Sequence, residues 1–392
     1  MSEVNTNEVI TGYKAFNPDF KCKGYQYEVG KTFEYKGEIE ICSKGFHFCH
    51  NDPIDVFLYH SLVRWEDGLF TRFAKVSASK KDTIIDCADL KCVTSKISID
   101  EEITLDDLIK EQIDKAYKFQ GETGLLMATE RGSTFTDEDS DAKIISNKEE
   151  THVALTHYYS MAVASADRAC LASSGYGNGL FATGLNARLS SSGSGSKIYS
   201  NGDLSSTSSS SMNAQLRIKG NGVNVSSSGS KSRLNVKSNF SEIASSGKHS
   251  VLNVAGSSPS ISTSGYCSEL TVKGGSPEIA SSGDYSKLRI TGKNASVSAS
   301  GYCSELTVTG KKARMAVVGN YSQVIYEGED GVISVLGEDA KFKGSKGTLV
   351  LAVICNHRGK PVGGLVGRIG ENGLKPNTLY RVSDGKFAEV GA

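Results

Sequence analysis

The segment Gly45-Phe46-His47-Phe48-Cys49-His50 sets an imidazole and a thiol at alternate positions of a run that reads as a strand. His47 and Cys49 then share one face, and Phe46 and Phe48 share the other. Nitrogen and sulfur donors of this kind suit zinc, and Cys22 or Cys42 could extend the set. No C-x-x-C pair supplies the remaining ligands, so a half-buried strand with a polar edge is the simpler reading and no metal is expected. The chain also lacks a phosphate-binding G-x-x-x-x-G-K-[ST] loop, an H-E-x-x-H pair and a serine nucleophile elbow.

A second set of candidate residues is repetitive. Small hydroxyl side chains recur in a column, among them Ser226, Ser228, Ser262, Ser264, Ser298 and Ser300. Such a column predicts a flat, uncharged face that either keeps a long sheet soluble and stackable or packs against a protein partner or a second copy of the chain. The opposite face, with Arg217, Lys219, Lys237, Lys273 and Arg289, is mildly basic.

These side chains are positioned by an internal repeat. Glycine recurs every nine residues from Gly175 to Gly337, interrupted only at Ser211 and Ser238, and an apolar register runs in parallel from Leu180 to Phe342. Two kinds of nonapeptide alternate, as in Ile261-Ser-Thr-Ser-Gly265 and Leu270-Thr-Val-Lys-Gly274. Residues i and i+2 of each strand point inward, and glycine stands at the corner, where a positive φ or close backbone approach costs least. The unit is thus an 18-residue coil of a parallel β-solenoid with two nonapeptides per coil, about ten coils over residues 153–346. Acids such as Asp203, Asp284 and Asp330 are scattered through the turns, so a calcium-binding roll is not expected. Cys267 and Cys303 stand two coils apart, about 9.6 Å, too far for a disulfide.

Residues 1–130 read as an α+β domain. Strands are expected at Gly12–Phe16, Tyr25–Val29, Glu38–Cys42, Gly45–Cys49 and Phe73–Ala78. Asp52-Pro53 opens a short helix running to about Leu62. Thr104 and Asp107 form a capping box for a second helix carrying Leu105, Leu108, Ile109 and Ile113. The acidic stretch 131–152 reads as a linker or transition, and residues 347–392, including a turn at 356–359, as a β-hairpin cap over an otherwise unpaired edge.

Composition agrees with this organisation. The 44 Lys and Arg balance 44 Asp and Glu, so nothing in the total draws the chain toward nucleic acid. The 42 Gly exceed the roughly 27 expected at average usage, whereas 6 Pro fall below the roughly 20 expected, which excludes collagen and proline-rich linkers. Nine cysteines, an odd number, suit a reducing compartment, and neither a signal peptide nor a membrane span is evident.

The run GYKAFNPDFKCKGYQYEVGKTFEYKGEIEICSKGFHFCHNDPIDVF, residues 12–57, resembles the N-terminal module of a family of uncharacterised phage and prophage proteins. The stretch GGLVGRIGENGLKPNTLYRVSDGKF, residues 363–387, resembles their C-terminal ends. The resemblance implies expression within a bacterial host, in its cytoplasm or as part of a virion, and brings no catalytic residues or cofactor. The N-terminal module is also similar in outline to ADP-ribosyltransferase-like folds, where Lys14 would take the place of the nucleotide-contacting residue of an early strand, His47 that of the middle strand before a helix, and Glu102 that of the late acid. That similarity departs at Lys14, which is neither Arg nor His, and at the missing Ser-Thr-Ser-like middle strand. A non-enzymatic interaction protein is the leading expectation, and a transferase acting through the N-terminal domain is the alternative.

Overall fold

The computed structural model describes residues 8–64, 69–86, 90–118, 125–356 and 360–391. They fall into two compact units, one of residues 1–171 and 175–183 and one of residues 172–174 and 184–392.

In the first unit nine strands and two helices form the N-terminal domain: β1 (Val9–Phe16), β2 (Lys21–Cys22), β3 (Tyr25–Gln26), β4 (Thr32–Glu34), β5 (Phe46–Cys49), α1 (Val56–Tyr59), β6 (Arg72–Ser79), β7 (Thr83–Asp86), β8 (Lys91–Thr94), β9 (Lys96–Ile103) and α2 (Leu105–Lys118). Seven strands build one antiparallel sheet in the order β4-β9-β6-β1-β5-β8-β7, and β2 pairs with β3 in a separate hairpin. The central strands alternate apolar and polar residues, and a cluster of Phe16, Phe20, Tyr27, Phe46 and Phe48 packs on one side. Helix α2 has the expected cap: Thr104 N–H donates to Asp107 Oδ2 at 3.0 Å, and Asp107 N–H to Thr104 Oγ1 at 3.2 Å.

Several expected elements are shorter or absent. Glu38–Cys42 is not a strand; only an isolated bridge joins Glu40 to Lys44. The segment at Tyr25 ends at Gln26, and the helix after Asp52 is a 3₁₀ turn, Pro53–Asp55, followed by the four residues of α1. Strands β4, β7, β8 and β9 go beyond the sequence reading.

The acidic stretch is not a linker. Leu126 pairs in parallel with Ile144, Ile144 with Ala162 and Ala162 with Leu180, while Phe135 pairs with Val153. These are the first coils, and they share a core with the N-terminal domain. Phe57 stacks on Phe181 at 4.8 Å, and Lys143 Nζ lies 2.7 Å from Asp52 and 2.6 Å from the fully buried Asp55. Acids on the outside pair locally: Glu150 takes Arg131 and Arg168 at 2.7 and 2.9 Å.

Two parallel sheets carry the coils, thirteen strand pairs from Leu126 to Cys355 rather than the expected ten. Inward residues stack like on like, as in Ile243, Ile261 and Ile279 or Leu234, Leu252 and Leu270. The last coil also runs past the expected boundary, because Leu349–Cys355 still pairs in parallel with Val332–Val335. Antiparallel strands then close each sheet, Pro361–Arg368 on one and Leu379–Ser383 with Lys386–Glu389 on the other. Most of the turn at 356–359 lies outside the described residues. Cys87 does too, and Cys355's side chain is likewise undescribed; the other seven cysteines are thiols.

The corner glycines serve close approach more than a positive φ. A Cβ on Gly283 would sit 2.1 Å from the Gly265 carbonyl oxygen of the preceding coil. The left-handed position falls two residues later, at Cys267, Tyr285 and Cys303, with φ of 52°, 54° and 50°. Strain of about 1–2 kcal/mol at each is offset by an N–H donated to the next coil, as from Cys267 to Asp284 O at 2.9 Å. The serine three residues after the glycine completes the corner: Ser268, Ser286 and Ser304 donate to Gly247, Gly265 and Gly283 carbonyls at 3.1, 3.3 and 3.1 Å.

Candidate functional site

The N-terminal sheet opens between two of its strands. Strands β1 and β6 pair at eight positions, but β1 and β5 pair only at Tyr13 and Cys49. Gly12 permits even this contact, since a Cβ there would lie 2.4 Å from the Cys49 carbonyl oxygen. The resulting gap is part of a cavity of about 520 Å³ whose walls come from β1, the β2–β3 hairpin, the segment 42–49 and α1.

Lys14 is the central group. It is 5% exposed, and its Nζ donates to the His47 carbonyl oxygen at 2.6 Å, a carbonyl left without a β1 partner by the splayed strands. The same Nζ stands 5.4 Å from the centroid of the Tyr27 ring. Burial lowers the Lys14 ammonium below its ordinary value, opposed by the Cys22 and Cys49 sulfurs. His47 is pushed down to about 4, first by burial and then by Lys14, Lys23 and Lys91, so its ring is neutral near pH 7. Its Nε2 is buried with no hydrogen-bond partner among the described residues. Cys49 is held as a thiol by burial, with a smaller contribution from Asp55.

Lys23, Lys44 and Lys91 also line the cavity, and among its described lining residues there is no carboxylate. Tyr25, Tyr27, Tyr35 and Phe46 form an aromatic wall, with Tyr25 and Tyr27 edge-on to Phe46 at 5.4 and 5.9 Å. The arrangement is a positive, partly apolar recess that can hold an anion against flat rings.

Of the three residues named for transferase chemistry, two meet here. Glu102 does not line the cavity: it lies on β9, two strands from Lys14 through the paired row Lys14, Ala74 and Glu102, and Arg72 grips both its oxygens at 2.7 and 2.5 Å. Tyr25, Tyr35, Lys23 and Lys91 were not singled out in the sequence. Only the density of tyrosine and lysine in residues 12–44 hinted at the first three, and nothing in the sequence pointed to Lys91. Among the described residues no three His, Cys, Asp or Glu side chains gather as a metal set.

On the solenoid, Ser226, Ser228, Ser262, Ser264, Ser298 and Ser300 are all exposed. Ser208, Ser226, Ala244, Ser262, Ala280 and Ser298 follow one another in register across the coils. Shallow hollows of about 340 and 680 Å³ run along this face. No helix among the described residues is long and apolar enough to cross a membrane.

No curated protein and no solved structure matches the chain. Residues 10–111, which contain the cavity, are similar to the family described as a domain of unknown function, DUF7666.

Proposed function

We propose that the chain is a phage- or prophage-type interaction protein without catalytic activity of its own, working in the bacterial host cytoplasm or in the virion. The rigid solenoid presents the N-terminal domain or its own serine face to a host or virion partner; a virion component and a modulator such as a defence inhibitor are the two forms this takes. The carrying observation is the exposed column of Ser and Ala side chains in register over successive coils, which offers a level surface with no charged side chain within the column. A partner or a second copy can cover the column itself, with Glu242, Glu278 and Arg314 of the same hollows at its edge as polar contacts. The test is purification from infected or lysogenic cells of the wild type beside a variant with Ser226→Lys, Ser262→Lys and Ser298→Lys, together with light scattering for self-association. Loss of a specific partner or of the oligomer in the variant is expected. Unchanged partners and a monomer in both proteins would sink the reading.

The recess around Lys14 and His47 favours one second reading, an ADP-ribosyltransferase-like enzyme. Transfer of label from NAD to host protein, abolished by His47→Ala in the recess as well as by Glu102→Ala, would establish it.

A further inference from the structure

We propose that the recess between β1 and β5 is a binding site for a nucleoside phosphate, with the phosphate met by Lys14 and Lys23 and the base packed against the tyrosine-rich wall. The inference concerns the ligand of the N-terminal domain and stands independently of whether the serine face engages a partner.

Three observations converge. The volume, about 520 Å³, lies within the roughly 300–1,000 Å³ usual for small-molecule sites. Four lysines and no carboxylate among the described lining residues make the recess attractive to an anion, and an ammonium group is a good point charge for phosphate. An ammonium carries three N–H donors, of which Lys14 gives one to the His47 carbonyl oxygen, leaving donors for a ligand oxygen. His47 independently points to an occupant. Its buried Nε2 has no partner among the described residues, and such a group costs about 1–3 kcal/mol until something pairs with it. A phosphate or ribose oxygen, or a base nitrogen, is the complement. The exposed Tyr25 ring, backed by the buried Tyr27 ring at 5.1 Å, supplies the surface on which a base stacks. Phosphate alone would leave this wall unused, and a nucleoside alone would leave the lysines unused.

The test is isothermal titration of the full chain with AMP, ADP, adenosine, inorganic phosphate, NAD and a 5′-phosphorylated trinucleotide. AMP or ADP is expected to bind at least about tenfold more tightly than adenosine or phosphate. Lys23→Glu and Lys14→Met should each weaken AMP by about tenfold or more, and Tyr25→Ala should weaken AMP while leaving phosphate unchanged. The His47 ring resonances should shift on adding AMP. Preference for the trinucleotide over AMP would assign the same chemistry to a nucleic-acid end. Absence of binding at millimolar nucleotide, adenosine binding as tightly as AMP, or tight NAD with weak AMP would overturn the proposal. Should Lys14→Met fail to fold by circular dichroism, Lys23→Glu and the His47 resonances decide: an unchanged affinity with unmoved resonances overturns it.

Discussion

In the solenoid the hydroxyls of Ser268, Ser286 and Ser304 each meet a glycine carbonyl of the preceding coil, whereas in the N-terminal sheet the His47 carbonyl is met once, by Lys14. The first region handles its buried polar groups by repetition and the second by singular partners. Repetition produces a surface in which each coil resembles the next, with Lys197, which burial pushes down to about 8, as an exception. Singular partners create the opposite: a buried lysine, a neutral histidine and the pair of Asp55 with Lys143. The lesson is that damage in the solenoid should stay local to neighbouring coils, while damage in the N-terminal region should spread through a shared core.

The largest expected effect tests the singular side. Lys143→Ala leaves Asp55 buried without its countercharge, and unfolding in guanidinium should show a loss of about 3–5 kcal/mol, partly recovered by Asp55→Asn. A loss below about 1 kcal/mol would mean that the N-terminal region does not depend on single groups.

Next comes the repetitive side. Gly283→Ala forces a Cβ against the Gly265 carbonyl oxygen, 2.1 Å away, so a loss of about 2–3 kcal/mol is expected. Hydrogen exchange should rise in the adjoining coils and remain unchanged in β1 to β9. Rapid exchange throughout the chain would break the contrast.

A smaller effect depends on pH. His47 titrates at about 4 in the folded protein against its ordinary 6.5, so between these values the unfolded chain binds more protons. Stability is therefore full above about pH 6.5 and falls as the pH drops toward 4, by roughly 1–2 kcal/mol for a half-buried ring. His47→Gln should flatten the acid limb of a stability profile over this window; an identical limb in the variant would place the titration elsewhere. The smallest effect belongs to the serine face: Ser226→Ala, Ser262→Ala and Ser298→Ala should each change stability by less than about 0.5 kcal/mol, because these hydroxyls are exposed. Larger losses by thermal unfolding would show that the face serves the fold rather than a partner.

Much of the solenoid was legible because stacking in register demands the same kind of residue at each 18-residue step. The first coils escaped the glycine register, since Asp139, Lys148, His157 and Ala166 stand where later corners carry glycine. The apolar register does continue, through Phe135, Ile144, Val153 and Ala162, and was the better guide. In the N-terminal domain, β1, β5, β6 and the cap of α2 followed from alternation and capping. Strand β9 was hidden by its run Asp100-Glu101-Glu102, whose charges obscure the buried Ile97, Ile99 and Ile103.

By itself, the amino-acid order determined the coil, its period, its inward rows and its serine column, because each depends on neighbours at a constant sequence offset. The recess depended on tertiary structure. Lys14, His47 and the tyrosine wall come together because β1 and β5 part after a single paired position, leaving a carbonyl for a lysine to reach. The hairpin, the segment 42–49 and α1 wall the space so left, and no periodicity along the chain records it.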